Sequence, residues 1–190
     1  MASRLTVLYD ACVLYPNYLR DILVQLATTD LFQVKWTERI HDEWTRNLLL
    51  NRPDTGAERL EKLRQKVIRS APDSLVTNYE YIISSLELPD LNDRHVLAAG
   101  IVAKADIIVT FNLKDFPADI LSGYDIKAQH PDDFIADLID LDALRVFEAI
   151  QAIVNRLRKP PVGFEGYMEI LLNQGLLTSV SLLRGMRNKK

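Results

Sequence analysis

Cysteine is almost absent from this sequence, in which Cys12 is the single thiol. One cysteine cannot form an internal disulfide, and it suits a reducing compartment, so we expect a cytoplasmic protein. The first residues, MASRLTVLYD, lead into an apolar segment without the basic region, long apolar stretch and small-residue cleavage site of a secretory signal. We therefore expect neither a signal peptide nor a disulfide-stabilised fold.

Long apolar runs and a strong charge imbalance are also missing. No run approaches the roughly 20 residues that a membrane-spanning helix needs. The net charge of −3 and the pI near 5.6 argue against a general nucleic-acid coat protein, although clustered acids can still hold cations beside local basic patches. With 190 residues, 48% of them hydrophobic, the chain is long enough to bury the core of one domain.

Short β-prone segments alternate with amphipathic segments along the chain. Strands are predicted at RLTVLYD, FQVKW, DIIVTF and YDIKAQ, and helices at NYLRDILVQLA, ERIHDEWTRNLLL, AERLEKLRQKVIRS, NYEYIISSLEL, DRHVLAAGIVAKA and HPDDFIADLI. This alternation predicts an α/β fold with a central parallel sheet in a three-layer α/β/α sandwich. We expect a domain over residues 1–135 and a leucine-rich helical extension over residues 136–190, packed on the same domain, with a hinge candidate at residues 159–161.

Acidic and amide side chains follow two of the predicted strands. Asp10 ends the first strand, and Asn112 and Asp115 follow the late strand DIIVTF. Because ligands of parallel α/β sheets lie beyond the carboxyl ends of the strands, these side chains are expected at one edge. Asp93, at the start of the helix that feeds the late strand, is placed close to them, and Glu43 could face the same point from its own helix.

Such a group of carboxylates has a definite chemistry. Unpaired clustered carboxylates repel one another and raise their own pKa values. A hard divalent cation, Mg²⁺ or Mn²⁺, removes that repulsion and prefers oxygen ligands. A cation of this kind can activate water and stabilise the charge of an in-line phosphodiester displacement. The pattern therefore predicts a nuclease-type site that needs no histidine or cysteine.

Each acid also has a purely structural interpretation. Asp10 could end a strand or cap the next helix, Glu43 could be solvated, and Asp115 could form a turn. For Asp90 we favour a helix-capping role, and for Asp93 a place in the site. From local sequence alone, the roles of Glu43 and Asp115 stay open.

The histidines and the cysteine are weaker candidates. His41, His95 and His130 are scattered without the pairing on one helical turn that metal ligands show, so we expect them at the surface or in helix caps. Cys12 is interpreted as a small buried residue after the strand, because no histidine is placed to activate a thiol nucleophile.

Four segments taken together, VLYDACVLYP, ERIHDEWTRNL, DLNDRHVLAAG and IIVTFNLKDF, resemble the PIN domain. Within it they look most like proteins related to the VapC-type toxin ribonucleases, and the resemblance covers roughly residues 4 to 135. It implies an α/β/α sandwich that binds Mg²⁺ or Mn²⁺ through three or four acids and hydrolyses RNA.

The resemblance also assigns residues to that site. It places the first three acids at Asp10, Glu43 and Asp93, which would hold the metal. Many members have a fourth acid two residues after the threonine of the late strand, and here that residue is Asn112. Asp115 is then expected either to substitute as the fourth catalytic and metal-binding acid or to support the metal ligands from outside. Thr110 would orient the site, and Asp90 and Asn112 complete the residues around it.

Partners follow from the same resemblance. Toxins of this kind act on RNA and are silenced by a small antitoxin, so we expect an RNA substrate and an antitoxin protein. The apolar helices of residues 136–190 could pack on the sheet or form a dimer surface, and we expect a homodimer. The basic helix from Arg59 to Arg69 could contact phosphates or simply be solvated. A non-catalytic PIN-like module that binds RNA or protein is the alternative function. An aspartyl-phosphate phosphotransferase ranks low, because it would require an acid where Cys12 stands.

Overall fold

A four-stranded parallel sheet forms the centre of the protein, whose computed structural model describes residues 4–157 and 161–187. The strands lie in the order β2-β1-β3-β4, and every neighbouring pair is parallel. They are β1 (Leu5–Tyr9), β2 (Phe32–Lys35), β3 (Ile107–Val109) and β4 (Lys127–Gln129). Of the expected hinge, Lys159 and Pro160 lie outside the described residues.

Helices surround this sheet and account for most of the described chain. They are α1 (Ala11–Leu14), α2 (Asn17–Ala27), α3 (Glu38–Asn51), α4 (Ala57–Ser70), α5 (Arg94–Ala103), α6 (Ala118–Leu121), α7 (Pro131–Leu141), α8 (Ala143–Arg156), α9 (Phe164–Leu172) and α10 (Leu177–Arg187). The predicted α/β/α fold is confirmed. One predicted helix differs, because NYEYIISSLEL forms a short 3-10 helix at Glu80–Ser85.

Local sequence explains the main elements. In β1, Val7, Leu8 and Tyr9 are all fully buried, as expected for a central strand covered on both faces. Helix α3 begins after Thr37, whose hydroxyl accepts a hydrogen bond from the Ile40 N–H at 3.0 Å. This cap confirms the predicted start of the helix that carries Glu43.

The carboxyl ends of β1 and β3, where the acidic site is predicted, lie next to each other. The backbone N–H of Asp10 donates to the Val109 carbonyl at 3.1 Å, so Asp10 is held beside the end of β3. Helix α5 lies close to the sheet at Gly100, where an added Cβ would meet Ile108 Cδ1 at 3.5 Å. The start of this helix places Asp93 at the same edge.

The C-terminal helices continue the same hydrophobic core. Helix α8 packs against α2 and helix α10 packs against α7. The expected boundary between residues 135 and 136 falls inside α7, and the division into domain and extension stays a prediction. In the part of the chain that the structure describes, no helix is both long and apolar enough to cross a membrane.

Candidate active site

A pocket of about 450 Å³ lies at the carboxyl end of the sheet. This volume falls within the usual range for small-ligand sites. The pocket is lined by Asp10, Ala11, Cys12, Tyr15, Glu43, Asn47, Asn51, Asp93 and Asn112. The structure thus brings together the first three predicted acids and Asn112.

Asp10 is buried, and one of its two carboxylate oxygens is fully occupied by protein donors. Its Oδ2 accepts hydrogen bonds from Thr110 Oγ1 at 2.7 Å and from Cys12 Sγ at 3.0 Å. Burial, followed by the charge of Asp10, raises the pKa of the Cys12 thiol, which keeps this donor protonated. Asp10 follows β1 directly and occupies the N-cap position of α1, but its side chain makes no capping hydrogen bond there. Among the described contacts, Asp10 Oδ1 accepts no hydrogen bond.

Glu43 lies on α3, and its carboxylate contacts His95 at the start of α5. His95 Nε2 lies 3.0 Å from Glu43 Oε1, and Arg39 Nε lies 3.6 Å from the same oxygen. Burial acts to raise the pKa of Glu43, but the His95 hydrogen bond and the nearby positive charges outweigh it and lower the pKa. Glu43 is therefore ionised and half-buried, not a freely solvated helix residue.

Asp93 differs from the other two acids because its carboxylate has no hydrogen-bond partner among the described residues. Burial raises its pKa to about 7, and the charges of Asp10, Asp90, Asp115 and Glu43 push it in the same direction. The four charges that act most strongly on this carboxylate are all negative. An unpaired acid of this kind is the feature of the pocket that a bound cation would relieve.

The remaining predicted residues surround this group. Asp90 accepts a hydrogen bond from the Asn92 N–H at 2.8 Å, which confirms its capping role. Asp115 ends the 3-10 helix Leu113–Asp115 and does not line the pocket, although its charge acts on Asp93. Asn112 does line it, and its backbone N–H donates to Thr110 Oγ1 at 3.0 Å.

Two histidine expectations are wrong. His41 is fully buried, not at the surface, and its Nδ1 accepts a hydrogen bond from Trp44 Nε1 at 2.9 Å. Burial, and then the charge of Arg64, lower the pKa of His41 to about 4. His95 is 1% exposed and binds Glu43. His130 alone behaves as expected, because its Nδ1 accepts from the Asp132 N–H at the start of α7.

Sequence reasoning missed several lining residues. Asn47 and Asn51 follow Glu43 at intervals of four residues on α3, so helical spacing could have placed them on its face. Tyr15 follows the short helix α1 and has no comparable signal. The contact between His95 and Glu43 joins residues far apart in sequence, and only the fold reveals it.

The oxygen atoms that line the pocket are suitable ligands for a hard divalent cation, although the acids do not converge on a single position that a metal ion could occupy. Within residues 4–157 and 161–187, no group of three or more His, Cys, Asp or Glu side chains is arranged so that it could hold a metal ion. The pocket nevertheless offers carboxylate oxygens from Asp10, Glu43 and Asp93 and an amide oxygen from Asn112. Oxygen ligands of this kind match Mg²⁺ and Mn²⁺. Binding would require the side chains to move closer together.

Family models agree with this architecture. A PIN domain model matches residues 6–114, which is more than half of the chain. The chain belongs to the PIN domain family. A second model, described as the VapC50 C-terminal domain, matches residues 131–185, so it covers helices α7 to α10 of this PIN protein almost completely.

One curated relative is similar to this PIN domain chain. It is a protein of Mycobacterium tuberculosis named "Putative ribonuclease VapC50", 43% identical over 95 residues. The aligned part covers 48% of this chain and 56% of the relative, so the match spans about half the length of each protein. The comparison with solved structures gave no match.

Proposed function

We propose that this PIN domain protein is a divalent-metal-dependent endoribonuclease that hydrolyses RNA phosphodiester bonds. One observation carries the proposal. The half-buried carboxylate of Asp93 has no hydrogen-bond partner in the described structure and shares a pocket with Asp10 and Glu43, whose charges raise its pKa. The similarity to a protein named as a ribonuclease supports the same activity.

Asp10, Glu43 and Asp93 would hold Mg²⁺ or Mn²⁺, with Asp115 or Asn112 completing the ligand set. When bound, such a cation lowers the pKa of a water molecule and neutralises negative charge on the scissile phosphate. Asn112 lies in the pocket and Asp115 does not, so Asn112 is the better placed of the two in this arrangement.

The chain itself would orient these ligands and receive the RNA. Thr110 and Cys12 hold one oxygen of Asp10 and so set the plane of its carboxylate. The amides of Asn47 and Asn51 line the pocket and can donate hydrogen bonds to phosphate or ribose oxygens. These exposed amides lie along the side of the pocket formed by α3.

Basic side chains near the pocket would add electrostatic attraction for the RNA backbone. The charges of Arg39 and Arg46 act on Glu43, and both arginines are exposed on α3. On the basic helix α4, by contrast, Arg64 already forms ion pairs with Glu38 and Asp42. Because Arg39 and Arg46 lie on the same helix as Glu43 and their charges act on this pocket residue, we propose α3 as the main phosphate-binding element.

The biological setting is proposed from the VapC-type resemblance. The protein would be the toxin of a toxin–antitoxin pair in the cytoplasm, with an antitoxin protein covering the acidic pocket. It would also form a homodimer. Exposed leucines on the C-terminal helices, Leu141, Leu144 and Leu177, are candidates for that contact.

An RNA cleavage assay tests the enzymatic proposal. The purified full chain is incubated with structured RNA and Mg²⁺ or Mn²⁺, alongside a reaction with excess chelator. We expect cleavage with metal, none with chelator, and a loss of more than about a hundredfold for Asp10→Asn, beyond the usual effect of removing a residue that only supports a metal ligand. Equal metal-dependent cleavage by Asp10→Asn and the unchanged protein would refute the assignment.

Calorimetry separates the enzyme from a non-catalytic binding module. Titration of Mg²⁺ or Mn²⁺ into the metal-free protein should release or absorb heat with a one-site or two-site profile that Asp10→Asn abolishes. A protein that binds RNA but has no affinity for divalent cations would instead be a PIN-like module without catalysis.

A further inference from the structure

Glu43 reaches the pocket on a long side chain whose carboxylate the backbone alone does not fix. Several torsions separate its carboxylate from Cα, so neighbouring groups must select the conformation that it adopts. His95 and Arg39 both contact Oε1, and Oε2 has no partner among the described contacts. The two neighbours therefore leave one oxygen of the carboxylate available.

His95 is the firmer of the two contacts. Its imidazole is 1% exposed and lies 3.0 Å from Oε1, whereas the Arg39 side chain is 47% exposed and lies 3.6 Å away. Water competes with an exposed guanidinium, so its contact constrains Glu43 less. Since an ionised carboxylate only accepts hydrogen bonds, the proton of the short contact is on His95 Nε2.

The other ring nitrogen shows that His95 is an unfavourable choice for packing alone. Its Nδ1 is buried and has no hydrogen-bond partner in the described structure. A buried polar atom without a partner destabilises the folded state, and an apolar residue at this position would avoid that cost. In the described structure, the polar contact of the His95 side chain is the 3.0 Å approach of Nε2 to Glu43 Oε1, and Glu43 lies in the pocket.

His95 also connects the elements that carry two of the acids. It is in the first turn of α5, two residues after Asp93, and it contacts Glu43 on α3. Asp10 is held in the same way: Thr110 and Cys12 donate hydrogen bonds to Oδ2, and Oδ1 has no partner among the described contacts. In both acids, protein donors hold one oxygen while the other remains available.

We infer that His95 is the positioning residue for Glu43: its Nε2–H holds Oε1 and leaves Oε2 available to a divalent cation. His95 thereby sets the affinity of the pocket for that cation, an inference that rests on the proposed metal site. Supporting residues of this kind commonly change metal affinity when they are replaced.

Two amide substitutions test this inference. In His95→Gln, the amide nitrogen reaches the former place of Nε2 and can still donate to Glu43. In His95→Asn, a similarly polar amide ends near the place of Nδ1 and cannot reach Glu43. Val96→Ala serves as the control, because it truncates a fully buried neighbour on the same helix and weakens packing without touching Glu43.

The readout is Mn²⁺ affinity, measured by calorimetry on each metal-free full-length protein, with urea unfolding to follow stability. We expect His95→Gln to bind Mn²⁺ almost as tightly as the unchanged protein and His95→Asn to bind it about 10- to 100-fold more weakly. Val96→Ala should lose stability but keep its Mn²⁺ affinity.

Equal Mn²⁺ affinity in the Gln and Asn variants would overturn the inference, even if the protein cleaves RNA. The absence of any Mn²⁺ binding by the unchanged protein would overturn it as well. If the expected pattern of affinities appears but RNA is not cleaved, the role of His95 stands and the proposed ribonuclease function fails.

Discussion

Asp10 shows how individual side chains determine the chemistry of the pocket. It is buried at the end of β1, and Thr110 and Cys12 both donate to its Oδ2. The hydroxyl of Thr110 in turn accepts a hydrogen bond from the Asn112 N–H. This short network joins the two strand ends and fixes the orientation of the first acid.

Replacing Thr110 should weaken both the fold and the metal site. Thr110→Val keeps the shape of the side chain but removes the hydroxyl that donates to Asp10 at 2.7 Å. We expect the free energy of unfolding to fall by about 1–3 kcal/mol, because a buried carboxylate oxygen loses a partner. Mn²⁺ affinity, measured by calorimetry, should fall about 10- to 100-fold. Thr110→Ser retains the hydroxyl as the matched control, so equal affinities in the two variants would contradict this role.

Cys12 offers a second test, because it is the only thiol and any label reports on this position alone. Burial and the Asp10 charge raise its pKa, so the folded protein should react slowly with iodoacetamide at mildly alkaline pH. Unfolding in urea should restore an ordinary cysteine pKa of about 8.5 and a faster reaction. The same dependence of labelling rate on pH in the folded and unfolded protein would contradict the raised pKa.

At this scale, sequence could predict the acids but not their supporting residues. Asp10 and Asp93 have positional signals, since one follows a buried strand and the other starts a helix. His95 has no such signal, because its partner Glu43 lies on a different helix and the contact depends on how α3 and α5 pack. The state of Asp93 likewise depends on charges from four separate segments.

At the scale of elements, Asp132 links two C-terminal helices. It lies in the first turn of α7, and its carboxylate accepts hydrogen bonds from the Thr178 N–H and the Ser179 N–H, both at 2.8 Å, at the start of α10. The Ser179 hydroxyl donates to it as well. Burial acts to raise the pKa of Asp132, but these hydrogen bonds outweigh it and lower the pKa below its ordinary value.

Asp132 should therefore stabilise the protein in a pH-dependent way. Its folded pKa is depressed, so its contribution is complete above the ordinary aspartate pKa of about 3.9 and is lost as pH falls through the lower folded value. Asp132→Asn should reduce the free energy of unfolding by about 1–3 kcal/mol at neutral pH and by less in acid. Urea unfolding at several pH values measures this difference.

The neighbouring acid provides the control for that experiment. Asp133 is exposed on the same turn of α7, so Asp133→Asn should change stability little. If Asp132→Asn lowers the free energy of unfolding by no more than Asp133→Asn does, or by the same amount at every pH, the Asp132 carboxylate does not stabilise the packing of α10 against α7.

Local pattern predicted most elements correctly, because their signals lie within a few neighbouring residues. The apolar spacing of Leu19, Ile22, Leu23 and Leu26 marks α2, and all four side chains are fully buried. The segment around Glu80–Ser85 was harder, because it forms a 3-10 helix that contains no fully buried residue. Because the apolar stripe of this segment is weak, tertiary packing determines whether it forms an α-helix or a 3-10 helix.

At the scale of the whole molecule, parallel topology explains why the distant acids share one pocket. All four strands run in the same direction, so the residues that follow β1 and β3 emerge at the same edge of the sheet. The fold class and this edge could be predicted from alternating strand and helix patterns. The distances between acids could not, because they depend on the side-chain conformations that neighbouring donors select.

The C-terminal helices should be needed for stable folding. A chain that ends at residue 135 would cut α7 and remove the fully buried Val146, Ile150 and Ile153 of α8, the helix that packs against α2. We expect this fragment to lose cooperative urea unfolding, because the apolar face of α2 would be exposed. A fragment that unfolds cooperatively with nearly the stability of the full chain would show instead that the extension is an independent addition.

The most direct test of the proposed metal site is anomalous X-ray diffraction from a crystal of the full chain that contains Mn²⁺. We predict an anomalous peak in the pocket within bonding distance of carboxylate oxygens of Asp10 and Asp93, with Glu43 bound directly or through water. In a crystal of Asp10→Asn, prepared in the same way, the peak should be lost or greatly weakened. An open pocket with no anomalous peak at saturating Mn²⁺, or an equal peak in Asp10→Asn, would contradict the proposal that these acids form one metal-binding site.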